Sequence, residues 1–342
     1  MFYQCLKCSR RWEYPLAECP YCFVPLKEMP AKTVRVNSVS KITIPTLLHP
    51  IAPYYVLLLE DDFGNFWGYK SEIEYKAGDE LKFNPNENAV AIWRVKYNVL
   101  EAIKKAIELI GGFDIDQNSK ITILPTLSKA SHSYFRDNTS PEFLASVLQL
   151  LLEKGAKPEN IIVAGQNFDE IPAALIAKKS GLIDAGAKFK VNALDLSEGE
   201  FEKRDRFEIA KAVLNADLII NLAMEKNSQA SAAKNLFCVL KKEIYLGQKY
   251  LLSEAEIIEK LETVLKNKVI VIGEAEYIQR SNKLTAFLGL VLAGKNSRNL
   301  DRVFNEITQS FKLPEIVKNI NIEDISVVGR SVKEVQYQAE IF

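Results

Sequence analysis

Four of the five cysteines in this chain stand within its first 22 residues, as Cys5-x-x-Cys8 and Cys19-x-x-Cys22 with ten residues between the pairs. A C-x-x-C turn is short enough for its backbone amides to point at its own sulfurs, and two such turns place four thiolates around one tetrahedral Zn²⁺. The linking segment is shorter than the commonest two-pair spacing, yet it is long enough for a hairpin, and Trp12, Tyr14 and Pro15 suit the strand and turn. With Cys5, Cys8, Cys19 and Cys22 all committed, no coordination position stays open, so the expected ion is structural. A four-thiolate iron site and a redox dithiol are the alternatives. Zn²⁺ is favoured because its binding contributes on the order of 10 kcal/mol to folding a segment too small for its own core. Cys238, in KNLFCVLKK, reads as a buried small hydrophobe.

Beyond Pro85 the apolar period changes to that of an alternating α/β chain. VKYNVLEAIKKAIELIGG carries a helical stripe, Val99, Ile103, Ala106, Ile107 and Ile110, closed by Gly111. KITILP reads as a strand, and TSPEFLASVLQLLLEKG as a helix capped by Thr139, with Pro141 in its first turn, Glu142 completing a capping box and Gly155 at its end. NIIVAG, KFKVNALDL, ADLIINLA and KVIVIG continue as strands. Between them are expected a helix capped by Asp169, one over 207–215, one beginning near Ser228 and one opened by Ser253 and Glu256. The charge run over 197–208 is expected to be a solvated loop and helix start. Such alternation gives a mostly parallel sheet covered on both faces, an α/β sandwich.

In open parallel sheets ligands lie beyond the carboxyl ends of the strands, where strand order reverses. The loops at those ends are 125–129, 165–167, 221–226 and 273–276. They offer Ser, Thr, Asn, Gln and Lys without a nucleophile–base pair, and His132 is the histidine near them. Neither G-x-G-x-x-G nor G-x-x-x-x-G-K-[ST] occurs, so no nicotinamide, flavin or P-loop nucleotide is signalled.

Residues 34–83 read as short β-rich runs, TVRVNSVSKITI, YYVLLLED, FWGYKSEIEY and DELKF, with turns at Phe63-Gly64-Asn65-Phe66 and Ala77-Gly78-Asp79. A five-stranded OB-type barrel fits this length. The order of ribbon, V-S-x-I-T-like strand, PYYVLLLEDDFGNFWGY and K-A-G-D-E-L-K-F resembles the zinc-ribbon plus OB-fold proteins of domain-of-unknown-function family 35 over about the first 85 residues. That resemblance implies an association with thiolase-type enzymes and acyl-CoA. Phe63, Phe66, Trp67 and Tyr69 offer rings for base stacking, but the segment holds five basic residues (Arg35, Lys41, Lys70, Lys76, Lys82) against seven acidic ones (Glu60, Asp61, Asp62, Glu72, Glu74, Asp79, Glu80). That balance disfavours phosphate backbones, and packing is the simpler role for the rings.

The carboxy-terminal part resembles domain-of-unknown-function family 362. The resemblance rests on YNVLEAIKKAIELIGG, KITILP, NTSPEFLASVLQLLLEKGA, NIIVAG, ADLIINLAMEK, AAKNLF, VLAGKNSRNLD and IEDISVVG, in order across about 92–330. It implies ligand-site roles for Thr139 at a helix start, Asn221 and Lys226 in a strand-end loop, the Lys234-Asn235 pair, and Asp301. The chain departs from the family pattern at Leu124-Pro125-Thr126, where K-P-N is favoured. It departs again at 223–228, where a P-K-x-K-T-H loop has lost its histidine.

The fold expected is therefore multidomain α/β: a rubredoxin-like zinc ribbon over 1–30, a small OB-type barrel over 31–90 and an α/β sandwich over 91–342. Forty-four basic residues balance 44 acidic ones, which removes any global grip on nucleic acid or anionic membrane. The most apolar stretch, LTAFLGLVLAG, is far short of the roughly 20 residues that span a bilayer, and clustered thiols suit a reducing compartment, so the cytoplasm is expected. Two functions fit. In one, the α/β domain binds a small anionic or acyl-type metabolite, with or without catalysis, through helix amino termini and Lys226 or Lys234. In the other, the protein is a scaffold that docks a thiolase-type enzyme through residues 1–85.

Overall fold

In the computed structural model the chain forms two units, Met1–Pro85 and Asn86–Phe342. The structure describes residues 2–12, 16, 18–29, 33–45, 52–61, 64–71, 74–82, 88–169, 171–265, 268–279, 285–310 and 312–337. Tyr14, Pro15, Asp62, Phe63 and Glu72, which entered the sequence reading, lie outside them.

The first unit begins with β1 (Phe2–Cys5), β2 (Arg11–Trp12) and β3 (Leu26–Met29), an antiparallel ribbon in the order β2-β1-β3. It continues with β4 (Thr33–Ile42), β5 (Tyr54–Asp61), β6 (Phe66–Ser71) and β7 (Glu80–Lys82), a four-stranded antiparallel sheet in the order β6-β5-β4-β7. Alternation along YYVLLLED sends Tyr55, Leu57 and Leu59 inward, where they join Val34 and Val36 from β4 and pack against Val39, Trp67 and Tyr75. The β5–β6 turn is fixed by Asp61, whose carboxylate accepts from the Asn65 amide at 2.8 Å and the Asn65 side chain at 2.6 Å, while Gly64 adopts φ +72. At the second turn Gly78, φ +96, donates its N–H to the Val36 carbonyl at 2.8 Å, beside a register shift in β4.

The second unit opens with β8 (Ala89–Arg94) and α1 (Val99–Leu109), then β9 (Ile121–Pro125), α2 (Pro141–Glu153), β10 (Ile161–Gly165), α3 (Ala173–Lys179), α4 (Leu182–Lys188) and β11 (Asn192–Asp195). A hairpin, β12 (Phe201–Arg204) and β13 (Phe207–Ala210), leads through α5 (Lys211–Leu214) to β14 (Leu218–Met224) and α6 (Ser231–Asn235). The remainder is α7 (Lys242–Gln248), α8 (Glu254–Val264), β15 (Val269–Gln279), β16 (Thr285–Gly294), α9 (Ser297–Ile307), β17 (Ser326–Gly329) and α10 (Val332–Val335). Eight strands form one sheet in the order β11-β10-β9-β14-β15-β16-β8-β17. Strands β9, β10, β11, β14 and β15 pair in parallel, β16 is antiparallel to both β15 and β8, and β17 runs parallel to β8. The sheet is mostly parallel and buried on both faces. From β14, Ile220 and Leu222 enter a core with α1 and α2, while Ile219 and Ala223 point to the opposite layer. Strand order reverses between β9 and β14.

Local signals explain most of these elements. The helical stripe read in α1 is buried throughout, and Asn98 caps the helix by accepting from the Glu101 amide at 2.7 Å. Ser253 and Glu256 form the expected capping box of α8. Three expectations are corrected. The cap of α2 is Ser140, which accepts from the Phe143 amide, whereas Thr139 turns inward. Asp169 caps no helix, since α3 starts at Ala173 after Pro172. The 201–210 segment is the β12–β13 hairpin, turned at Asp205 (φ 53), with Phe207 and Ile209 buried beneath charged neighbours.

The two neighbours at the start of α2 are therefore separable. Ser140→Ala is expected to lower unfolding free energy by about 1 kcal/mol as a lost cap. Thr139→Val is expected to lower it by about 1–3 kcal/mol, because it removes both hydrogen bonds of the hydroxyl and leaves the Leu222 carbonyl and the Thr126 amide only their own 3.2 Å contact. Denaturant melts of the two variants check the ordering.

Candidate functional site

The two cysteine turns have the same backbone construction. In the first, the Ser9 amide donates to the Cys5 carbonyl at 2.8 Å and the Cys5 amide to the Arg10 carbonyl at 2.9 Å. In the second, the Phe23 amide donates to the Cys19 carbonyl at 2.9 Å and the Cys19 amide to the Val24 carbonyl at 2.9 Å. Each turn closes through a left-handed residue, Ser9 at φ 57 and Phe23 at φ 52. The Cys8 amide points at the Cys5 sulfur at 3.4 Å, and the Arg10 guanidinium stacks 3.7 Å above the Tyr21 ring, joining the two turns. All four sulfurs lie within 4.8 Å of one another, with Cys8 and Cys19 at 3.7 Å. A tetrahedron with metal–sulfur bonds of ~2.3 Å has sulfur–sulfur edges of ~3.8 Å, so the cluster fits a metal ion such as zinc.

The second cluster lies at the carboxyl ends of β9, β14 and β15, on both faces of the sheet. On the α6/α9 face, Asn221 is fully buried and donates to the Ala232 carbonyl at 2.7 Å and the Ser297 hydroxyl at 3.1 Å, and it accepts from Asn235 at 2.8 Å. Asn235 also donates to the Leu124 carbonyl at 2.8 Å, tying α6 to the end of β9. The buried Asp301 carboxylate accepts from the Ala232 and Ala233 amides at 2.9 and 2.8 Å. Against it lies Glu225, fully buried, and among the described residues no donor reaches either of its carboxylate oxygens. Gly273 makes the space: a Cβ there would meet Glu225 Oε1 at 3.0 Å and Leu300 at 3.1 Å.

On the α2 face, the Thr139 hydroxyl donates to the Leu222 carbonyl at 2.7 Å and accepts from the Thr126 amide at 2.8 Å, fastening the loop after β9 to β14. Glu274 is fully buried; it accepts from the Ser140 amide at 2.8 Å and pairs with Arg136 at 3.2 Å. Burial, only partly offset by the Ser140 amide and Arg136, raises its carboxyl to about 7. Arg136 itself lies over the Tyr277 ring at 4.4 Å. Lys226 donates to the Asp137 carbonyl at 3.0 Å, and burial pulls its ammonium below the ordinary lysine range. The Asp137 carboxylate is held by Lys129 at 2.8 Å and Ser131 at 3.0 Å.

Asn221, Asn235 and Asp301 thus meet in one network, and Thr139 and Lys226 lie across the sheet from it. Lys234 stands apart, half exposed and paired with Glu254 at 3.0 Å. His132 caps a short turn by accepting from the Tyr134 amide. The amides at the starts of α2 and α6, where an anionic ligand was expected, already receive Glu274 and Asp301. Sequence reasoning missed Glu225, Glu274, Arg136 and Asp137. The available signal was an acid closely following a largely apolar run, as in IINLAMEK and VIVIGE.

Two outcomes follow. Elemental analysis of unoxidised protein should find about one bound ion per chain, and Cys8→Ser or strong chelation should release it and unfold the β1–β3 ribbon, seen as lost amide protection over 2–29. Because folded Glu274 keeps its proton up to about 7 while the unfolded chain releases it near the ordinary 4.5, the unfolded state sheds protons first and stability falls as pH rises through that window. Thermal melts of Glu274→Gln should show a shallower decline there than the native protein.

Comparison with known proteins matches residues 121–306 to the family model "Domain of unknown function (DUF362)". Among solved structures, the chain is similar to a protein titled "Ltp2-ChsH2(DUF35) aldolase" at 22% identity, covering 25% of this chain and 72% of that chain, with a TM-score of 0.20. No curated protein matches it. The match runs from the first residue of β9 into α9 and takes in every group of the strand-end cluster, and over that span the chain belongs to the DUF362 family.

Proposed function

We propose that the α/β unit binds a small anionic molecule, a carboxylate, phosphate or thioester-linked acid, at the ends of β9 and β14, with Lys226 as the anchoring cation. One observation carries this reading. Lys226 sits at the reversal of strand order, partly buried, and among the described residues its ammonium meets a carbonyl and pairs with no carboxylate. An ammonium whose pKa burial draws down, with the nearby Asp137 charge offsetting this only in part, is stabilised by an incoming anion. Arg136 and Lys129 add positive charge to the same loop. In the first unit, the four-cysteine centre is read as structural Zn²⁺, since cysteine supplies the whole donor set, and the four-stranded sheet as the body of an OB-type barrel. Free thiols suit a cytoplasmic setting. Among the described residues no helix is long and apolar enough to cross a membrane.

A second reading, partner docking through the first unit, is favoured by a specific surface. Val56, Leu58 and Phe66 are 39%, 38% and 50% exposed and share one face of the β5–β6 pair. A thiolase-type enzyme handling acyl-CoA is the partner this reading names.

Both readings are tested on the full chain isolated under native conditions. Mass spectrometry after denaturing extraction should find a retained anion whose yield drops about tenfold or more in Lys226→Ala, the loss expected for one charge-assisted contact. Equal retention in both proteins refutes the Lys226 site. An enzyme that co-purifies with the native chain and is lost in Leu58→Lys supports the docking reading instead.

A further inference from the structure

We propose that Glu225 and Asp301 hold one proton between them, and that this shared proton keeps the 225–231 loop and α6 seated on the sheet. Both carboxyl groups are fully buried, and each lies close enough to act on the other's charge. Asp301 already spends its oxygens on the amides of Ala232 and Ala233, whereas Glu225 receives no donor at either oxygen among the described residues. Two acceptors pressed together need a hydrogen, and two buried negative charges need neutralisation.

The cations packed around the pair are committed elsewhere. On α9, Arg298 pairs with Glu262 of α8 at 2.8 Å and Arg302 with Glu306 at 2.8 Å. On α6, Lys234 pairs with Glu254. Beyond β14, Lys226 donates to the Asp137 carbonyl, and Arg136 pairs with Glu274 of β15. The Glu225 carboxylate lies over Gly273, where an added Cβ would meet it at 3.0 Å. A proton therefore fits where a larger counter-ion is crowded out. With Glu225 as the carboxyl and Asp301 as the carboxylate, one O–H···O⁻ bond forms, and the single charge left is spread onto the two α6 amides. Burial foremost, and for Glu225 the neighbouring Asp301 charge next, raises the proton affinity of both groups above the ordinary carboxyl range, in agreement with a proton held by the pair.

The device has a direction. The open segment gives up the proton at lower pH than the closed one, so raising pH favours opening by about tenfold per pH unit until the closed pair itself ionises. Lys226 follows Glu225 directly, so the opening carries the anion-anchoring residue with it; the proton linkage itself does not depend on any ligand.

Hydrogen exchange on the full chain, corrected for intrinsic rate, tests this between about pH 6 and about pH 8. Opening of 225–235 should rise about tenfold per pH unit in the native protein, and should be flat in Glu225→Gln, whose amide supplies the missing donor permanently. A flat native profile, or an unchanged slope in the variant, overturns the proposal. If Glu225→Gln fails to fold, infrared spectra of Glu274→Gln near neutral pH decide: a protonated-carboxyl band supports the pair, and its absence refutes it. Opening provoked at fixed pH by exhaustive chelation would also refute it, because a metal ion rather than a proton would then be the counter-charge.

Discussion

The carboxyl ends of β9, β14 and β15 finish between two helical layers, where every polar group must find its partner inside the protein. That constraint organises the second unit. The Leu222 carbonyl is met by Thr139 and the Leu124 carbonyl by Asn235, while the starts of α2 and α6 are met by carboxylates delivered from β15 and α9. The two internal acids lie on opposite faces of the sheet, Glu274 toward α2 and Asp301 toward α6. Each helix is thus tied to a strand or helix distant in the chain by a charged hydrogen bond, which is stronger than a neutral one and expensive to leave unmade. The polar network of the site is nearly closed. Its chemical interest lies at the two groups left short, Lys226 of negative charge and Glu225 of a donor.

The first unit meets a different difficulty. Its sheet core rests on Val34, Val36, Tyr55, Leu57 and Leu59, a small store of apolar burial, and its ribbon has less still. The paired cysteine turns answer this with backbone rather than bulk. Each fixes its carbonyls and amides in the same five-residue loop, and the four sulfurs converge within 4.8 Å of one another. Metal binding then adds cohesion that apolar contacts there do not supply.

How far the sequence could be read depended on whether the signal was local. The α1 stripe, the Ser253 capping box, the apolar runs of β9, β10, β14 and β15, and the four cysteines all carry their information within a few residues, and these were legible. The 201–210 hairpin was not, because its alternation of Phe201, Lys203, Phe207 and Ile209 is diluted by charges on the solvent side and imitates a loop. Thr139 was read as a cap because Ser140, its neighbour, has the same chemistry. Which hydroxyl turns inward is decided by the Leu222 carbonyl on another strand. Glu225 and Asp301 were invisible as a pair for the same reason: an acid after a strand and an acid in a helix look ordinary until the sheet brings them together. Asp301 itself was reached only through the family resemblance.

One feature of the topology bears on synthesis. The strand AVAIWR, β8, finds both its neighbours, β16 and β17, near the far end of the chain. While the ribosome produces the intervening helices and strands, this apolar segment has no native partner to cover its edges. It must stay shielded by chaperones or by transient packing against α1, and the sheet closes only when the last strands emerge.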